Sequence, residues 1–363
     1  MEYFFKRLFA SVLHTWLKQR PKSAQPPFKK ILFLRFDVLG DMILSIPVFK
    51  AMRRGFPESE IDVLCSEKNY ILLEGTKLAD NLYIAVKNPL RIISLIRTFR
   101  KKKYDLIINL VTRPSFTFGL LARFAGPNSV RIAADQERFS YLYNHVIELP
   151  PKSEVHMLKR KFLLCAEFIG RDISEVKTPW MTYTPEIAQK SKSIYDQILI
   201  DLDLSLDYHR LAGLNLSAGL ARRQWPLDNY VRFLQYVTSR YNGVIDGWAI
   251  FTDPAQPGAA PYVVKEVNHP RIRVIPPQND FRIIVEIIRR LFVIVSPDTS
   301  IAHAASAMGT PIMDLMIAEN INIWDPFGVP NTIILSKDPF TLYQLPVEDA
   351  INGFDELLAQ ITA

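Results

Sequence analysis

The strongest constraint on the fold of this 363-residue chain is an alternation of short apolar segments with longer amphipathic ones, which occurs twice. In the first series the short segments are ILFLRF, IDVLC, YDLIINL and SVRIAA, separated by segments of helical length and period. The second series begins at HRLAGLNLSA and includes GWAIFT and LFVIVS. Strands that alternate with helices favour a parallel sheet with helices on both faces. The sequence therefore predicts an α/β protein with two Rossmann-like domains.

The length of the chain also favours two domains, because it exceeds what one ordinary core accommodates. We predict a first domain over residues 29–175, an interdomain linker over 176–207 and a second domain over 208–345. A C-terminal helix follows over 346–363. Ligands of such folds bind at the carboxyl ends of the strands. We therefore expect the functional residues at those ends, in a cleft between the two domains.

The composition limits the choice of partners. A formal net charge of +7 favours anionic ligands or surfaces. The basic residues are dispersed and accompany no nucleic-acid-binding motif, so we predict no nucleic-acid partner. The two cysteines, Cys65 and Cys165, show neither a disulfide framework nor zinc-ligand spacing. Their usage fits a protein of the reducing cytoplasm.

Residues 1–28 precede the alternation and differ from the rest of the chain. Between residues 3 and 20, apolar side chains recur with a helical period and basic side chains occupy the other faces. A basic amphipathic helix of this type lies in a membrane interface or packs on its own protein, and the sequence leaves both open. A proline-containing linker follows. Because we see neither a signal peptide nor an apolar run of about 20 residues, we expect a cytoplasmic protein that contacts the inner membrane peripherally through residues 3–20.

Several familiar catalytic signatures are missing from the sequence. It contains no G-x-G-x-x-G, no Walker loop, no H-E-x-x-H and no nucleophile elbow. Dinucleotide oxidoreduction, NTP hydrolysis and zinc hydrolysis therefore lack their usual support. The acidic repeat DLDLSLD suggests a metal site, but its place in the predicted linker favours a solvated loop.

Two strand ends of the second domain carry residues suited to a phosphate. In LFVIVSPDTSIAHAASAMGTP a buried strand leads into a small-residue helix that opens at Asp298, Thr299 and Ser300. The free backbone amides and the positive dipole end of such a helix favour an anion. His303 follows in the same helix, where it is either a ligand contact or a core histidine.

The other strand end lies in the segment NLSAGLARRQWPLDNY. Ser217 and Ala218 directly follow the predicted strand, and Arg223 precedes the next helix. An arginine on such a loop can hold a diphosphate through two parallel hydrogen bonds. The two loops together predict a site for a diphosphate in the second domain.

In the first domain, the segment LRFDVLGDMILSIP places Asp41 after Gly40, where an apolar strand gives way to a helix. The carboxylate has two interpretations: an N-cap of the helix, or a base aimed into a cleft. Asp37 is the alternative base. Its position in a loop that leaves a strand favours a role in fixing the turn, so we prefer Asp41.

Four segments together resemble the heptosyltransferases, glycosyltransferase family 9. ILFLRFDVLGDMILSIPVFKAMRRGFPESEIDVL is similar to the opening of that family, and VSPDTSIAHAASAMGTPIMDLM to its second signature. ARRQWPLDNYVRFL resembles its basic-x-Trp-Pro-x-x-x-Tyr element, and WDPFGVPNTIIL its closing Pro-x-Gly segment. The segments stand in the order of the family between about residues 30 and 335. One departure is Ser300, where the family usually has glycine.

The resemblance implies a GT-B fold, with an N-terminal acceptor domain and a C-terminal nucleotide-sugar domain. It implies an inverting transfer of heptose from ADP-heptose to the lipopolysaccharide core, a lipid-linked glycan, without a metal or another cofactor. Asp41 would be the general base, and Arg223 would hold the donor diphosphate. The remaining expected contacts are Ser217, Ala218, Asp298, Thr299, Ser300 and His303 for the donor, and Gly40 and Arg113 for the acceptor.

One alternative belongs to a different functional class. The alternative is a sugar-nucleotide-binding protein of the same fold, with a different donor or with lost turnover, that acts as a partner subunit. The presence of Asp41 in its motif argues against a loss of turnover. The altered donor loops, such as the one with Ser300 in place of glycine, favour the alternative.

Overall fold

The computed structural model describes residues 20–85, 88–135, 139–170, 172–174, 176–253, 255–318 and 321–363. Two compact units make up the described chain. The first extends to Pro151 and includes Met157–Ile173; the second consists of Lys152–His156 and the chain from Ser174 to Ala363. The basic amphipathic helix predicted within residues 3–20 lies almost entirely outside the described residues.

The first unit contains a six-stranded parallel sheet with the strand order β3-β2-β1-β4-β5-β6. Its strands are β1 (Lys30–Arg35), β2 (Glu60–Cys65), β3 (Asn81–Ile84), β4 (Leu106–Asn109), β5 (Val130–Ala134) and β6 (His145–Ile147). The central strands β1, β4 and β5 are almost wholly buried, as a parallel sheet covered on both faces requires.

The helices of the first unit are α1 (Leu39–Ile43), α2 (Ile46–Gly55), α3 (Pro89–Lys102), α4 (Phe116–Ala125) and α5 (Met157–Ile169). In two of them the N-cap side chain accepts hydrogen bonds from the first helical turn. The Asn88 side chain accepts hydrogen bonds from the Leu90 and Arg91 amides, and the Ser115 side chain accepts one from the Phe118 amide. Such caps satisfy backbone donors that the first helical turn leaves free.

The second unit repeats this architecture with the strand order β12-β11-β10-β7-β8-β9. Its strands are β7 (Leu211–Asn215), β8 (Gly247–Phe251), β9 (Ile272–Val274), β10 (Val293–Pro297), β11 (Ile312–Met316) and β12 (Asn331–Leu335). Its helices are α6 (Pro185–Asp201), α7 (Leu227–Arg240), α8 (Ala259–Val267), α9 (Phe281–Ile288), α10 (Ser300–Met308) and α11 (Val347–Thr362). Among the described helices, none is both long and apolar enough to cross a membrane.

Two segments differ from their sequence-based description. The predicted linker 176–207 contains α6, whose buried Tyr195, Ile198 and Leu199 recur at helical spacing. The Tyr195 hydroxyl donates to the Arg290 carbonyl oxygen at 2.9 Å, which ties α6 to the second unit. The C-terminal helix α11 packs into the second core through Phe354, whose ring lies 5.4 Å from that of Phe233. Both helices are therefore parts of the second unit.

Each sheet has a point where the strand order reverses: between β1 and β4 in the first, and between β7 and β10 in the second. Loops that leave two such strands diverge and open a crevice at the carboxyl edge of the sheet. Asp41 follows β1 and Arg113 follows β4. Ser217 follows β7 and Asp298 follows β10. The predicted site residues thus lie at the reversal points of their sheets.

Candidate active site

Asp41 lies in the first turn of α1, three residues after the N-cap. The N-cap itself is Val38, whose side chain makes no capping bond, so the interpretation of Asp41 as the N-cap is wrong. The predicted single helix is divided at this point, because α1 ends at Ile43 and α2 begins at Ile46 with a proline in its first turn. The Ser45 hydroxyl donates to the Asp41 carbonyl oxygen at 2.7 Å and fixes the break.

Two buried cations hold the Asp41 carboxylate. The Nη2 group of Arg35, at the end of β1, donates to Asp41 Oδ1. The Nζ group of Lys161, on α5, lies 3.0 Å from the same oxygen and 2.9 Å from the Asp41 carbonyl oxygen. Within the described chain, Oδ2 accepts no hydrogen bond, and 19% of the Asp41 side chain is exposed. One carboxylate oxygen is therefore fixed, while the other is available to a ligand.

Arg35 also connects the two sides of the crevice in the first unit. Its Nη1 group donates to the Leu110 carbonyl oxygen, just after β4, at 2.9 Å. The same group lies 3.1 Å from Asp37 Oδ2. The guanidinium thus bridges the β1 and β4 loops and fixes both carboxylates, a role that the planar fork of arginine suits better than a lysine.

The charges of this cluster set the protonation of its members. Although burial opposes the ionisation of Asp41, the charges of Arg35 and Lys161 hold the pKa of its carboxyl well below the ordinary range. Burial and the neighbouring Arg35 charge lower the pKa of Lys161 to about 8. Burial raises the pKa of Asp37 above its ordinary value. Asp41 is therefore the carboxylate that stays ionised over the widest range of pH.

Asp37, the alternative base, has a structural position. Its side chain is only 4% exposed, and its buried Oδ1 has no hydrogen-bond partner within the described residues. Its carbonyl oxygen accepts hydrogen bonds from the Ser66 hydroxyl at 2.9 Å and the Asn69 side-chain amide at 3.2 Å. These contacts fix the loop after β1, which supports the preference for Asp41 over Asp37 as the base.

The two residues expected at the acceptor have different environments. Gly40 is buried in the first turn of α1, immediately before Asp41. Arg113 is exposed in the loop after β4. In the part of the chain that the structure describes, the Arg113 guanidinium makes no ion pair, so it is free to meet an anion.

In the second unit, Asn215 at the end of β7 connects the two loops of the crevice. Its side-chain amide donates to Ser296 Oγ at 2.9 Å and to Thr299 Oγ1 at 3.2 Å. Its Oδ1 atom accepts from the Ser217 hydroxyl at 2.7 Å and from the Ser217 amide at 3.0 Å. One buried side chain therefore positions both predicted donor-binding loops, in which Ala218 is half-buried next to Ser217.

Thr299 is the N-cap of α10 and accepts a hydrogen bond from the Ile301 amide at 3.2 Å, and Ser300 is the first residue of the helix. The first turn of a helix leaves backbone amides without intrahelical partners, which suits an anion site at the start of α10. His303 is buried one turn further along, with its ring 5.8 Å from that of Trp324. The burial of His303 favours the interpretation as a core residue.

Arg223 lies at the end of a short 3-10 turn and reaches the loop after β10. Its Nη1 group donates to the Asp298 carbonyl oxygen at 3.1 Å and lies 3.2 Å from Asp298 Oδ2. Asp298 itself is buried. Among the described residues, Nη2, the other terminal nitrogen of the guanidinium, has no hydrogen-bond or ion-pair partner. Arg223 is therefore held by one amino group and can offer the other to an anion, whereas Asp298 fixes Arg223.

Asp314 is a third ionisable residue near this pair, and the sequence-based prediction of the site does not include it. It is fully buried in β11, next to Ser296 of β10 in the strand register. Neither of its carboxylate oxygens has a hydrogen-bond partner within the described ranges. Burial, and then the charge of Asp298, raise the pKa of Asp314 well above its ordinary value. A neutral carboxylic acid behind Asp298 is the form that this environment favours.

We expect the substitution Asp314→Asn to stabilise the protein at neutral pH, by about 1.4 kcal/mol for each unit by which burial raises the pKa of the carboxyl. A carboxyl with a raised pKa in the folded state costs stability as the pH rises from about 4 toward that pKa, because the unfolded chain releases its proton first. The gain should therefore shrink to zero below pH 4. Urea unfolding of both proteins at several pH values measures it, and a gain that does not change with pH would contradict the buried acid.

The sequence-based prediction did not include several residues of the site. Two of them are charged residues at core positions, which is a pattern that the sequence shows. Lys161 falls on the apolar face of α5, with Leu158, Phe162 and Cys165. Asp314 interrupts a buried strand. A charge at a core position is costly unless it has a partner. Such positions mark functional or paired residues even where no motif surrounds them.

Comparison with solved structures defines the class of the fold. A family 9 glycosyltransferase from Veillonella parvula DSM 2008 superimposes with a TM-score of 0.75 at 18% identity, covering 95% of this chain and 99% of that one. The ADP-heptose lipopolysaccharide heptosyltransferase II of Escherichia coli gives 0.70 at 18% identity, over 92% and 100%. The heptosyltransferase WaaC of Escherichia coli, solved with ADP, gives 0.68 at 15% identity, over 92% and 98%. The protein therefore has the GT-B fold of the heptosyltransferases.

Sequence comparison identifies the family. Residues 92–341 match the model of glycosyltransferase family 9 (heptosyltransferase). The chain is also 22% identical over 349 residues to lipopolysaccharide heptosyltransferase 3 of Escherichia coli strain K12, covering 88% of this chain and 96% of the relative. The protein belongs to glycosyltransferase family 9, and it is a glycosyltransferase, as the four sequence motifs predicted.

Proposed function

We propose that this protein is an inverting heptosyltransferase that transfers a heptose from ADP-heptose to the lipopolysaccharide core or a related surface glycan, without a metal or a cofactor. The observation that carries the proposal is the ionised Asp41 carboxylate, with one oxygen fixed by Arg35 and Lys161 and the other free. The donor and acceptor are supported by relatives: one structure is named for ADP-heptose and another for ADP, and the sequence relative for lipopolysaccharide.

The proposed reaction is a single displacement at the anomeric carbon. The acceptor hydroxyl gives its proton to Asp41 Oδ2 while its oxygen forms the new glycosidic bond. The bond between the anomeric carbon and the diphosphate breaks at the opposite face, and its electron pair leaves with ADP. A base in this position contributes about 10²–10⁴ to the rate. Because attack and departure occur on opposite faces, the configuration inverts.

In this proposal the second unit binds the donor and stabilises the departing diphosphate. The negative charge that develops on the departing diphosphate would meet Arg223 Nη2 and the backbone amides at the start of α10. Thr299 and Ser300 stand at that helix start, and Ser217 and Ala218 form the facing loop. Asp298 would act through Arg223 rather than on the donor. This arrangement supplies positive charge at the leaving group that other transferases take from a divalent ion.

The lipid-linked acceptor suggests the place of action. We propose that the protein works at the cytoplasmic face of the inner membrane as a peripheral protein. The net charge of +7 suits both an anionic membrane surface and a phosphorylated acceptor.

Product analysis with the purified full chain tests the proposed function. The chain is incubated with ADP-heptose or another nucleotide sugar and with truncated lipopolysaccharide acceptors. We expect transfer from ADP-heptose, inversion at the anomeric carbon and the same rate in the presence of EDTA. Donor binding without transfer would replace the proposal by the non-catalytic partner subunit, and transfer of a different sugar would overturn the donor assignment.

We expect the substitution Arg223→Gln to weaken the binding of ADP-heptose by about tenfold to a hundredfold. The reason is the loss of a charge-assisted hydrogen bond to the diphosphate, which contributes about 1.5–3 kcal/mol. Calorimetric titration with ADP measures the effect on the diphosphate directly. Arg223→Lys should retain part of the affinity, because it keeps the charge but loses the planar fork.

The matched control for this prediction is Arg240→Gln, which removes the same charge from an exposed position on α7 of the same unit. Its ADP affinity should equal that of the unchanged protein. If Arg223→Gln and Arg240→Gln bind ADP equally well, Arg223 has no part in the donor site.

A further inference from the structure

A second candidate site lies at the opposite edge of the first sheet, away from Asp41. A cavity of about 660 Å³ opens where β1, β4 and β5 begin, and its lining includes Lys22, Arg100, Lys103 and Asp105. We propose that this cavity, here called the basic pocket, binds the phosphate of an anionic glycerophospholipid headgroup. The proposal deepens the peripheral membrane location proposed above, and it is independent of the donor and acceptor assignments because it concerns neither.

The charge of the basic pocket favours an anion. Three cations line it: Lys22 before β1, Arg100 in the last turn of α3 and Lys103 just after that helix. Within the described chain, neither the Arg100 nor the Lys103 side chain has a hydrogen-bond or ion-pair partner. Asp105 is the acid in the lining, and its Oδ2 atom already accepts from the Lys29 and Lys30 amides at 2.7 and 2.9 Å. The side chains of Arg100 and Lys103 are thus available to a ligand.

The backbone acceptors of the pocket wall are also engaged. Arg131 Nη1 donates to the carbonyl oxygens of Gly126, Pro127 and Ser129 at 2.5, 3.2 and 3.0 Å. The Asn128 carbonyl oxygen accepts from Lys22 Nζ at 2.5 Å, which holds the lysine at the rim. Because these carbonyl oxygens already accept hydrogen bonds, the polar groups of the lining that remain available are mainly hydrogen-bond donors. A phosphate, with several acceptor oxygens and a negative charge, matches them.

The surface beside the pocket distinguishes a lipid from a free phosphate. The segment PLRIISLIRTFRKK, which forms α3, contains no acidic residue. Leu90 is 77% exposed and Ile93 47% exposed, and with Arg97 and Arg100 they follow one another at helical spacing on one face. An exposed stripe that is apolar at one end and basic at the other suits the boundary between headgroups and acyl chains. A free phosphate would need no such stripe.

The connection of the pocket to the chain before it gives a further argument. Lys22 follows residues 3–20, for which the sequence predicts a basic amphipathic segment of the membrane-interface type. Its amide donates to the Asn144 carbonyl oxygen at 2.8 Å, so the start of the described chain is fixed at the pocket. A headgroup bound here would lie where that predicted segment enters the domain. Basic residues close to an anionic leaflet each contribute about 1 kcal/mol, roughly a fivefold factor in binding.

Occupation of the basic pocket would leave the candidate active site open. Lys30 begins β1 at the pocket edge, whereas Arg35 ends it at the Asp41 edge. Five strand steps of about 3.3 Å separate the two ends by roughly 17 Å. The pocket can therefore hold a headgroup while an acceptor sugar contacts Asp41.

The test compares two variants of the full chain in vesicle co-sedimentation. The pocket variant carries Arg100→Gln and Lys103→Asn, since Lys103 has a φ of 56° that asparagine tolerates. The control variant carries Lys68→Gln and Lys77→Gln, which remove the same charge from exposed loop positions of the same unit. Vesicles consist of phosphatidylcholine with or without phosphatidylglycerol. We expect the pocket variant to bind phosphatidylglycerol vesicles about thirtyfold more weakly, and the control variant to bind within about twofold of the unchanged protein.

A soluble lipid distinguishes binding in the pocket from attraction by the net charge of the protein, and inorganic phosphate tests whether a phosphate alone is sufficient. Dihexanoyl-phosphatidylglycerol, used below its micelle concentration, should bind the unchanged protein and not the pocket variant, whose thermal unfolding should match that of the control. Equal losses in the two variants would overturn the proposal, because net charge alone would explain them. Pocket-dependent binding of inorganic phosphate without pocket-dependent vesicle binding would overturn the lipid assignment. None of these measurements requires turnover, so their failure is distinct from failure of the proposed function.

Discussion

Replacing Asp41 by asparagine is expected to lower kcat for sugar transfer by about 10²–10⁴ and to leave ADP affinity unchanged. The amide keeps the size of the side chain and can still accept hydrogen bonds from Arg35 and Lys161 at its oxygen. It cannot take a proton from the acceptor hydroxyl. Single-turnover transfer measured beside calorimetric ADP binding separates the loss of the base from a loss of the donor site.

The matched control is Asp37→Asn, four residues earlier and paired with the same arginine. We expect this variant to retain kcat within about tenfold, because the Asp37 side chain is only 4% exposed and its carbonyl contacts hold the loop after β1, so it cannot reach an acceptor hydroxyl. If Asp37→Asn loses transfer and Asp41→Asn keeps it, the roles of the two carboxylates are reversed. The pair therefore tests the choice between two bases that the sequence places in one loop.

The low pKa of Asp41 determines how this carboxylate can act as a base. A carboxyl whose pKa lies well below the ordinary range is ionised throughout the neutral and mildly acidic range. It is also a weak base, so proton transfer advances only as the acceptor oxygen forms its new bond. The contribution of Asp41 to the rate then comes from its position rather than from its basicity, since the bonds to Oδ1 fix the orientation of Oδ2.

The central parts of the fold could be predicted from the sequence because buried parallel strands are continuous apolar runs. β1, β2, β4 and β5 coincide with such runs, and so do β7 and β10. The short strands β3, β6 and β9 were not identified. They add to the outer side of each sheet, where partial exposure removes the apolar signal. For α6, the polar residues on its outer face concealed the buried spacing of Tyr195, Ile198 and Leu199.

The site could be predicted only as far as its residues follow strand ends directly. Asp41 and Thr299 were found because a motif and a strand-to-helix turn mark them. Lys161 stands 120 positions after Asp41, and the contact between them depends on how α5 packs against α2 and β5. The contact of Arg223 with Asp298 spans 75 positions in the same way. Pairing of distant residues is a property of tertiary packing, and local patterns carry no information about it.

The buried charge cluster around Asp41 is balanced, and this balance makes a second large effect predictable. Asp37 and Asp41 contribute two acids, and Arg35 and Lys161 contribute two cations. Removing one partner of a buried ion pair leaves a charge that neither water nor a counter-ion compensates. Lys161 is the informative position, because its side chain is fully buried and contacts Asp41 through both the carboxylate and the backbone.

We expect Lys161→Met to lower the free energy of unfolding by about 3 kcal/mol, the lower end for a broken buried pair, since Arg35 remains. Methionine fills a similar volume, so a cavity contributes little. The loss of the positive charge also raises the pKa of Asp41 toward or above the ordinary value near 4. The acid limb of kcat/KM should then move to higher pH, because Asp41 becomes protonated where the unchanged protein keeps it ionised.

If the loss of stability in Lys161→Met comes from an unbalanced charge, a second substitution that restores neutrality should recover part of it, whereas a loss of packing would not be recovered. Adding Asp37→Asn to Lys161→Met removes one negative charge and restores neutrality, so the double variant should regain about 1–3 kcal/mol of stability relative to Lys161→Met alone. In the unchanged background, Asp37→Asn should bring no such gain. Urea unfolding of the four proteins gives the coupling energy. If the two substitutions are additive, Lys161 stabilises the site through packing, and the electrostatic account of how Asp41 is held fails.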